Sequence, residues 1–533
     1  MVRTMNRTIC GLLFSILFLA LSGRTQAQTI NAASCNESDV QKAISSVTTD
    51  GATVLIPTGN CNWTTSLNLT LTHSMTLQGA GAVSYSPTNI AGTGTDKTIL
   101  TDSINRSTGD SPLLGFITIT GKSLRITGIA FYWNQANATA TYNGSVRVLG
   151  ASTSVRIDHC HFNQIWNVDM QMYDVQGVID HNQFDAGHGS ENQMRFNNGG
   201  TSGYGNESWT VPANFGSSQF MFVENNNYQF VQSQGAGQNG GFVFDCTAGG
   251  RGVFRYNNMG FHEALQTHLT GPGLYGAYGQ NARGCRALEI YGNVMTYSSS
   301  PITDNYYASL ELEGGTALIW GNTYTGYLKL VQAYYPRVNT TTYQQVAPPN
   351  GWGYCGSIQT GSTSAWDQNT NSTGAACIDQ IGRGAGDLVT GVFPNTKNSA
   401  TGTITWPHQA SEPVYAWNNI YNPPPQESGD HYWGSADGLT TENRDYYLQL
   451  PNYDESATFN GTAGVGQGLL SNRAATCTKG VGYWATDTNT LYTCTAVNTW
   501  ALYYTGYTYP HPLVQGSQTG NNATPSNLTT IVH

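Results

Sequence analysis

The sequence predicts an all-β fold, a single-stranded right-handed parallel β-helix (a β-solenoid), with a helical cap at its N-terminal end and a β-hairpin cap at its C-terminal end. Three observations carry this prediction. One short strand phrase recurs along the chain, most of its copies place an asparagine at the same turn position, and the composition combines 62 Gly with 10% charged residues. Internal repeats of this kind indicate a solenoid rather than a globular sheet.

The repeated phrase is a short alternating strand that ends in a tight turn. It occurs as LRITGIAF (124–131), VRIDHCHF (155–162), GVIDHNQF (177–184), MFVENNNY (221–228), GVFRYNNM (252–259), LEIYGNVM (288–295), ALIWGNTY (317–324) and VYAWNNIY (414–421). Aligned at the turn, the phrases give the column Ile129, Cys160, Asn182, Asn226, Asn257, Asn293, Asn322 and Asn419. Because asparagine tolerates left-handed backbone geometry and its amide can bond the amides above and below, we predict a ladder of stacked asparagines.

Two further patterns define the inside of the solenoid. A column of large apolar side chains stands two residues beyond the turn, and we interpret it as a stacked interior: Phe131, Phe162, Phe184, Tyr228, Met259, Met295, Tyr324 and Tyr421. A second series of alternating strands precedes the phrase in each coil, at 115–120, 145–150, 168–173, 241–246, 265–270, 309–314 and 328–333. In both series the alternation separates an inner from an outer set of side chains.

The ends of the chain differ from the repeats. The predicted segments are a signal peptide (1–27), the solenoid with its N-terminal cap (28–470), a disulfide-closed hairpin cap (471–515) and a flexible tail (516–533). The N-terminal cap is a helix that begins near Asn36 or Ser38 and buries Val40 and Ile44. Such caps cover the unpaired backbone groups of an end strand.

Cysteine content and charge indicate the compartment and exclude some partners. The signal peptide predicts a secreted protein, extracellular or on the cell surface, where cysteines pair; by proximity we expect the bridges Cys35–Cys61, Cys246–Cys285, Cys355–Cys377 and Cys477–Cys494. Cys10 leaves with the signal peptide, and Cys160 is left over; we interpret it as a buried, inert thiol rather than a nucleophile. The net charge of −10 disfavours nucleic acid as a partner. No apolar run reaches the ~20 residues of a membrane span.

The cap, the ladder and the coil phrases resemble the pectate-lyase-like superfamily of right-handed parallel β-helix proteins, over most of residues 30–470. The resemblance implies the β-helix fold. It leaves the activity open, because that superfamily includes polysaccharide lyases, glycoside hydrolases, epimerases, esterases, phage tailspikes and adhesins. The residues that could carry chemistry therefore have to be judged one group at a time.

The outward column two residues before the turn forms a continuous strip of polar and aromatic residues: Thr127, Asp158, Asp180, Glu224, Arg255, Tyr291, Trp320 and Trp417. We expect Arg255, Tyr291, Trp320 and Trp417 to bind a glycan, since sugar rings stack on aromatic faces. Successive acids repel one another, so Asp158, Asp180 and Glu224 predict a cation, with Ca²⁺ as the candidate because it prefers oxygen ligands. The alternative is ordinary surface alternation.

The densest charged cluster lies between residues 245 and 313 and supplies the candidate catalytic residues His268, Arg251, Asp245, Glu311 and Arg283. Asp245, His268 and Glu311 are predicted to share one outward column on three consecutive coils. Arg251, Arg283 and Arg286 could bind a uronate carboxylate, with His268 or an arginine as the base of a β-elimination. Asp245 and Glu311 instead fit the carboxylate spacing of an inverting hydrolase. The structural alternative is that these charges pair with one another to hold long loops.

The function expected from the sequence is cleavage of an extracellular polysaccharide, with a lyase slightly favoured over a glycoside hydrolase because arginines outnumber paired carboxylates in the cluster. The alternative is a non-catalytic surface, adhesin or fibre protein in which the solenoid is a rod and the aromatic strip only binds. The identity of the polysaccharide and the oligomeric state stay open.

Overall fold

A computed structural model describes most of the chain after the predicted signal peptide. The described residues are 27–86, 89–106, 111–134, 144–165, 168–186, 192–200, 205–230, 242–261, 263–267, 284–297, 308–333, 381–387, 408–422, 432–435, 440–449 and 458–515. Several predictions fall outside them: the signal peptide, the tail after 515, the Cys355–Cys377 bridge, and the candidate catalytic residues His268 and Arg283.

Three long parallel sheets make up the described body of the protein, which is a β-solenoid. Sheet 1 has twelve strands: Thr29–Asn31, Ala52–Leu55, Met75–Gln78, Leu124–Thr127, Val155–Asp158, Gly177–Asp180, Met221–Glu224, Arg251–Arg255, Ala287–Tyr291, Thr316–Trp320, Val414–Trp417 and Tyr446–Leu448. Sheet 2 has ten: Gly59–Trp63, Thr98–Asp102, Ala130–Trp133, His161–Asn163, Gln183–Ala186, Asn227–Phe230, Asn258–Phe261, Val294–Tyr297, Thr323–Thr325 and Ile420–Asn422. Sheet 3 also has ten: Leu67–Thr70, Leu114–Thr118, Val146–Gly150, Met170–Tyr173, Asn192–Asn197, Phe242–Thr247, Glu263–Thr267, Ala308–Leu312, Lys329–Ala333 and Trp433–Ser435.

Each coil of the solenoid therefore contains three strands, not two. The repeated phrase comprises a strand of sheet 1, the turn and a strand of sheet 2, as in Leu124–Thr127 followed by Ala130–Trp133. The second predicted series forms sheet 3. Every strand pairs in parallel with its counterparts in neighbouring coils, for example Ile126 with Ile157 and Phe131 with Phe162.

The asparagine ladder is confirmed. From Asn182 to Asn322, each ladder amide donates from Nδ2 to the Oδ1 of the next asparagine, at 2.9–3.1 Å. The same Oδ1 atoms also accept the backbone N–H of the previous ladder residue, beginning with Cys160. The left-handed residue is the one before the ladder position, as at His181 (φ 56°) and Gly292 (φ 66°), so the ladder asparagines are selected by their amides rather than by backbone strain.

The stacked interior is also confirmed. The rings of Phe131, Phe162, Phe184 and Tyr228 stack with centroids 4.5–5.0 Å apart, which is the spacing of successive coils. Cys160 is a buried free thiol, as predicted, and burial raises its pKa, so it stays an unreactive thiol. The bridges Cys35–Cys61, Cys246–Cys285 and Cys477–Cys494 are present.

Three helices and three smaller sheets accompany the solenoid in the described residues. Helix α1 (Glu37–Ser45) buries Val40 and Ile44 against the first coils, and Asn36 stands at its N-cap without a side-chain capping bond. Helices α2 (Asn206–Trp209) and α3 (Pro512–Gln515) and the 3₁₀ turn Leu470–Asn472 are single turns. The two small antiparallel sheets pair Ser84–Ser86 with Asn89–Thr93 and Arg383–Asp387 with His408–Ser411.

A four-stranded sheet, here the C-terminal sheet, contains the predicted hairpin. Its strands are Val465–Gly468, Gly482–Ala485, Thr490–Ala496 and Thr499–Thr505. Trp484 of this sheet packs with Leu318, Tyr415 and Trp417, which lie on the outer face of sheet 1. The residues that follow, 506–515, continue along that face, and we call them the C-terminal strap.

Candidate functional site

The predicted outward strip exists as a continuous column of sheet 1, in the predicted order. The strand register pairs Thr127 with Asp158, Asp180 with Glu224, and each later member with the next, through Trp320 and Trp417. The expectation that this strip is an open surface is wrong. Seven members of the strip are buried beneath the C-terminal sheet, the strap or their own neighbours: Thr127, Asp158, Asp180, Glu224, Arg255, Tyr291 and Trp417. Trp320 is half-buried.

The strap is held by the strip itself. The Arg255 guanidinium donates to the carbonyl oxygens of Tyr507 (2.8 Å) and Thr508 (2.9 Å), and its Nε donates to Glu224 Oε2 (2.7 Å). The other Glu224 oxygen accepts the backbone N–H of His511 (2.8 Å). Arg156 donates to the carbonyl of Leu513 (3.1 Å). Arg255, predicted to bind a glycan, and Glu224, predicted to bind a cation, thus bind the protein's own backbone.

Arginines balance the three acids for which calcium was expected. Asp158 accepts two hydrogen bonds from Arg125, both 2.7 Å, and Asp180 accepts two from Arg156, both 2.8 Å. Glu224 pairs with Arg255. Across the described part of the chain, no three His, Cys, Asp or Glu side chains lie close enough together to hold a metal ion. These acids therefore do not need Ca²⁺ for charge balance, and a calcium site stays a prediction.

The aromatic end of the strip is part of a packed core. Tyr291 stacks on Trp320 (centroids 4.5 Å apart), and Trp320 stacks on Trp417 (5.8 Å). Trp484 and Tyr504 of the C-terminal sheet cover the two tryptophans. Stacked aromatic faces were predicted for a sugar, but a second aromatic layer from the same chain occupies that position.

Two candidate arginines of the charged cluster, Arg251 and Arg286, also bind other parts of the protein. Arg251 is buried, not exposed as expected, and donates to Ser208 Oγ and to the carbonyl oxygens of Ser208, Pro212 and Ala213. Arg286 is fully buried and pairs with Glu412 at 2.7 Å. Burial and the nearby Arg286 charge lower the pKa of Arg251 to about 9. These two side chains hold the long loop 205–220.

A second polar column runs along the outer face of sheet 3. Its register pairs Arg147 with Gln171, Gln171 with Arg195, Arg195 with Asp245, Asp245 with Gln266, Gln266 with Glu311 and Glu311 with Gln332. Asp245 and Glu311 share this column, as predicted. The register places Gln266 between them, and His268, two positions later, lies outside the described residues, so its place beside this column stays a prediction.

The sheet 3 column pairs a cation with one acid and places a second acid two coils away. Arg195 Nε lies 3.2 Å from Asp245 Oδ2, and both side chains are buried. Glu311 is also buried and stands two coils from Asp245, about 10 Å along the sheet at ~4.8 Å per coil. This strand-to-strand separation is slightly longer than the ~6.5–9.5 Å found between the two carboxyl groups of inverting glycosidases.

Sheet 2 carries a further charged group that the sequence did not reveal. His161 Nδ1 lies 2.8 Å from Asp96 and Nε2 lies 3.1 Å from Asp185, while the Tyr132 hydroxyl donates to Asp96 at 2.8 Å. Burial alone would lower the pKa of His161, but the bonds and charges of Asp185 and Asp96 outweigh it and raise the pKa to about 9. The imidazolium thereby ties the loop that carries Asp96 to the outer face of sheet 2.

We expect the His161 contribution to stability to disappear in alkali. A pKa raised from about 6.5 to about 9 contributes about 3 kcal/mol, fully present below pH 6.5 and lost as the pH rises through 9. Urea unfolding of wild type and His161→Gln from pH 6 to 10 measures this difference. The two stability curves should converge above pH 9; parallel curves over the whole range would contradict the charged triad.

Sequence reasoning missed Arg195 and Asp96 for different reasons. Arg195 lies in the strand Asn192–Asn197, whose Met194 and Phe196 alternate inward like the predicted sheet 3 strands, so that periodicity could have found it. Asp96 comes from a loop outside the repeat, and no periodic signal links it to His161.

The described residues form an all-β solenoid of long parallel sheets, with three disulfides among them and charged columns on its outer faces. No family model matches the chain, and no curated protein matches it. Among solved structures it is similar to ORF18 of Geobacillus virus E2, with 11% sequence identity, coverage of 90% of this chain and 86% of that chain, and a TM-score of 0.28. A likeness at this TM-score carries no inference about function. In the described residues, no helix is both long and apolar enough to cross a lipid bilayer.

Proposed function

We propose that the chain is a secreted carbohydrate-active enzyme that cleaves an extracellular polysaccharide held along the outer face of sheet 3. The observation that carries the proposal is the buried Arg195–Asp245 pair with Glu311 in the same column, in a chain with 10% charged residues. A repeating column of polar groups on successive coils matches an extended, repeating substrate.

Right-handed coiling and two end caps belong to this proposal. Connections between parallel strands of one sheet are right-handed in about 98% of cases, which supports the hand. Helix α1 lies over the first coils, where Trp63 donates to the carbonyl of Cys35 at 2.9 Å, and this supports a cap. The three disulfides are typical of an oxidising compartment and support export.

Hydrolysis is the reaction that the described residues support better. A lyase needs cations that are free to hold a uronate carboxylate, but Arg251, Arg255 and Arg286 are committed to partners inside the protein. Hydrolysis needs one acid and one base, for which Glu311 and Asp245 are the candidates. β-Elimination, which the sequence slightly favours, would use Arg195 as the cation and a base such as His268.

The proposal is tested by turnover of Glu311→Gln and Asp245→Asn on a polysaccharide panel. Each variant should lose at least ~10²-fold in kcat, the usual effect of removing a general acid or base. New reducing ends alone indicate hydrolysis, and ultraviolet absorbance of an unsaturated sugar indicates elimination. Glu442→Gln, at an exposed acid outside the column, is the control and should keep full activity. Full activity in both column variants would refute this site.

A non-catalytic rod is the second candidate, and one observation favours it. The groups that the sequence assigned to glycan binding, among them Arg255 and Trp417, build the packing between sheet 1 and the C-terminal residues. A wild-type protein that cleaves no polysaccharide, yet is retained on a glycan array, would support this candidate.

A further inference from the structure

One carboxyl group lies in an otherwise uncharged column beneath the C-terminal sheet. On the outer face of sheet 1, beside the strip, the strand register gives the column Val178, Phe222, Val253, Glu289, Leu318 and Tyr415. All six side chains are buried, and Glu289 is 0% exposed. Its neighbours in the column, Val253 and Leu318, are apolar. A carboxyl group in such surroundings costs free energy unless it is hydrogen-bonded or neutral.

Glu289 joins three parts of the chain. Its Oε1 accepts the backbone N–H of Gly216, in the loop 205–220, at 2.7 Å. Its Oε2 accepts the hydroxyl of Tyr504, in the last strand of the C-terminal sheet, at 2.8 Å. The three parts meet closely, because Gly216 has φ 74° and a Cβ placed on it would collide with the Thr505 carbonyl oxygen. We call Glu289 and its two donors the Glu289 latch.

No cation balances Glu289, in contrast to the acids of the strip. Each of the three strip acids pairs with an arginine, as described above. Within the part of the chain that the structure describes, Glu289 makes no ion pair, and the nearby Arg255 bonds to Glu224 instead. Burial raises the pKa of Glu289 to about 7, although the bonds from Gly216 and Tyr504 and the charge of Arg255 lower it.

Both protonation states of Glu289 can hold the two donors, but at different cost. The ionised carboxylate accepts both hydrogen bonds and carries a buried charge. The neutral acid accepts the Gly216 N–H on one oxygen and donates its own O–H to the Tyr504 oxygen, since a tyrosine hydroxyl both donates and accepts. The neutral form therefore keeps both contacts without the cost of a buried charge.

We propose that the Glu289 latch is a pH-sensitive switch, which holds the last strand of the C-terminal sheet and the loop 205–220 against sheet 1 in acid and loosens them as the pH becomes neutral. When the latch opens, the carboxyl group meets water and has its ordinary pKa of 4.5, whereas the closed latch keeps the proton up to about pH 7. The stabilisation is fully present below pH 4.5 and is lost as the pH rises through 7. The ratio of closed to open latch should fall about 10²-fold.

The other ionisable groups near the latch keep their charge state or titrate with the opposite sign. Burial raises the pKa of Tyr291 and of Tyr504, so both stay neutral at pH 5–8. Arg255 stays a cation, as guanidinium groups do in proteins. The acid of the loop, Glu207, is exposed. Burial and the charge of Arg255 lower the pKa of His511, in the strap, to about 4, so its contribution is lost as the pH falls from 6.5 through 4.

Hydrogen exchange of the full-length protein from pH 5 to 8 tests the latch without any substrate. The amide of Gly216 is the reporter, and its protection is corrected for the intrinsic pH dependence of exchange. Glu289→Gln has the same shape and is neutral at every pH. The ratio of wild-type protection to that of Glu289→Gln should fall about 10²-fold over this range, and the ratio cancels the effect of His511. Glu442→Gln, at an exposed acid elsewhere, is the matched control and should follow wild type.

Tyr504→Phe tests the latch without relying on Glu289→Gln. Removing the hydroxyl takes away a hydrogen bond that favours the ionised carboxylate, so the pKa of Glu289 should rise. Protection of the Gly216 amide in Tyr504→Phe, divided by that in wild type, should therefore decrease above pH 7. Loss of packing alone would give a ratio that does not depend on pH. Such a constant ratio, or a constant ratio of wild type to Glu289→Gln, would overturn the proposal.

Discussion

Replacing Arg255 with methionine is expected to release the C-terminal strap and to lower the free energy of unfolding by about 3–5 kcal/mol, the cost of breaking a buried ion pair from one side. Arg255 is fully buried and bonds to Glu224, to the Tyr291 hydroxyl and to two strap carbonyls. Methionine keeps the apolar volume but leaves the Glu224 carboxylate without its cation. Urea unfolding measures the loss, and limited proteolysis after residue 505 measures strap release.

A matched control distinguishes the contacts of Arg255 with the strap from an ordinary arginine–carboxylate ion pair. Arg125 makes a similar two-bond pair with Asp158 but is partly exposed, and Asp158 keeps Arg156 as a neighbour. Arg125→Met should therefore cost roughly 1 kcal/mol or less and leave the strap resistant to protease. Equal losses in the two variants, with no strap cleavage in Arg255→Met, would show that the strap is held by its apolar contacts instead.

Replacing Asn257 with leucine is expected to lower the free energy of unfolding by about 3 kcal/mol or more, since each buried group left unsatisfied costs about 1–3 kcal/mol. The Asn257 Oδ1 accepts from the backbone and side-chain amides of Asn226. Its Nδ2 donates to the Val223 carbonyl and to Asn293 Oδ1. Leucine fills the space but satisfies none of these groups. Thermal and urea unfolding measure the loss.

The control for the ladder is an asparagine outside it. Asn62 lies exposed on a sheet 2 strand, and Asn62→Leu should change stability by no more than about 0.5 kcal/mol. Asn293→Leu should match Asn257→Leu, because Asn293 has the same pattern of bonds. Ladder variants as stable as Asn62→Leu would mean that the turns are held by the strands alone.

Because the strap covers part of the sheet 1 strip, the functional interpretation of that strip changes. An open strip of acids and aromatic rings would be a binding groove, whereas the covered strip is an internal joint between the solenoid and its C-terminal residues. The joint uses the same interactions that a glycan would use, namely guanidinium to oxygen and ring on ring. The proposed cleavage therefore rests on the sheet 3 column, in which Arg195, Asp245 and Glu311 are also buried.

The repeating features of this fold follow from the amino-acid sequence alone. The turn column predicted the ladder, and the column two residues later predicted the interior stack, because each coil places the same position next to its copy one coil away. Close spacing in the chain also predicted the three bridges seen among the described residues. Such local, periodic constraints can be read without knowing where distant segments pack.

Which outer face of the solenoid is covered depends on contacts between segments far apart in the chain. The strap contacts Arg255 from 252 residues away and Arg156 from 357 residues away, and no periodicity connects segments so far apart. A charged outward residue has the same pattern whether it meets water, a glycan or another part of the chain. The register of sheet 3 is not evident from the sequence either, because inserted loops of unequal length separate its strands from the ladder. The chain alone therefore did not show that Gln266, rather than His268, stands between Asp245 and Glu311.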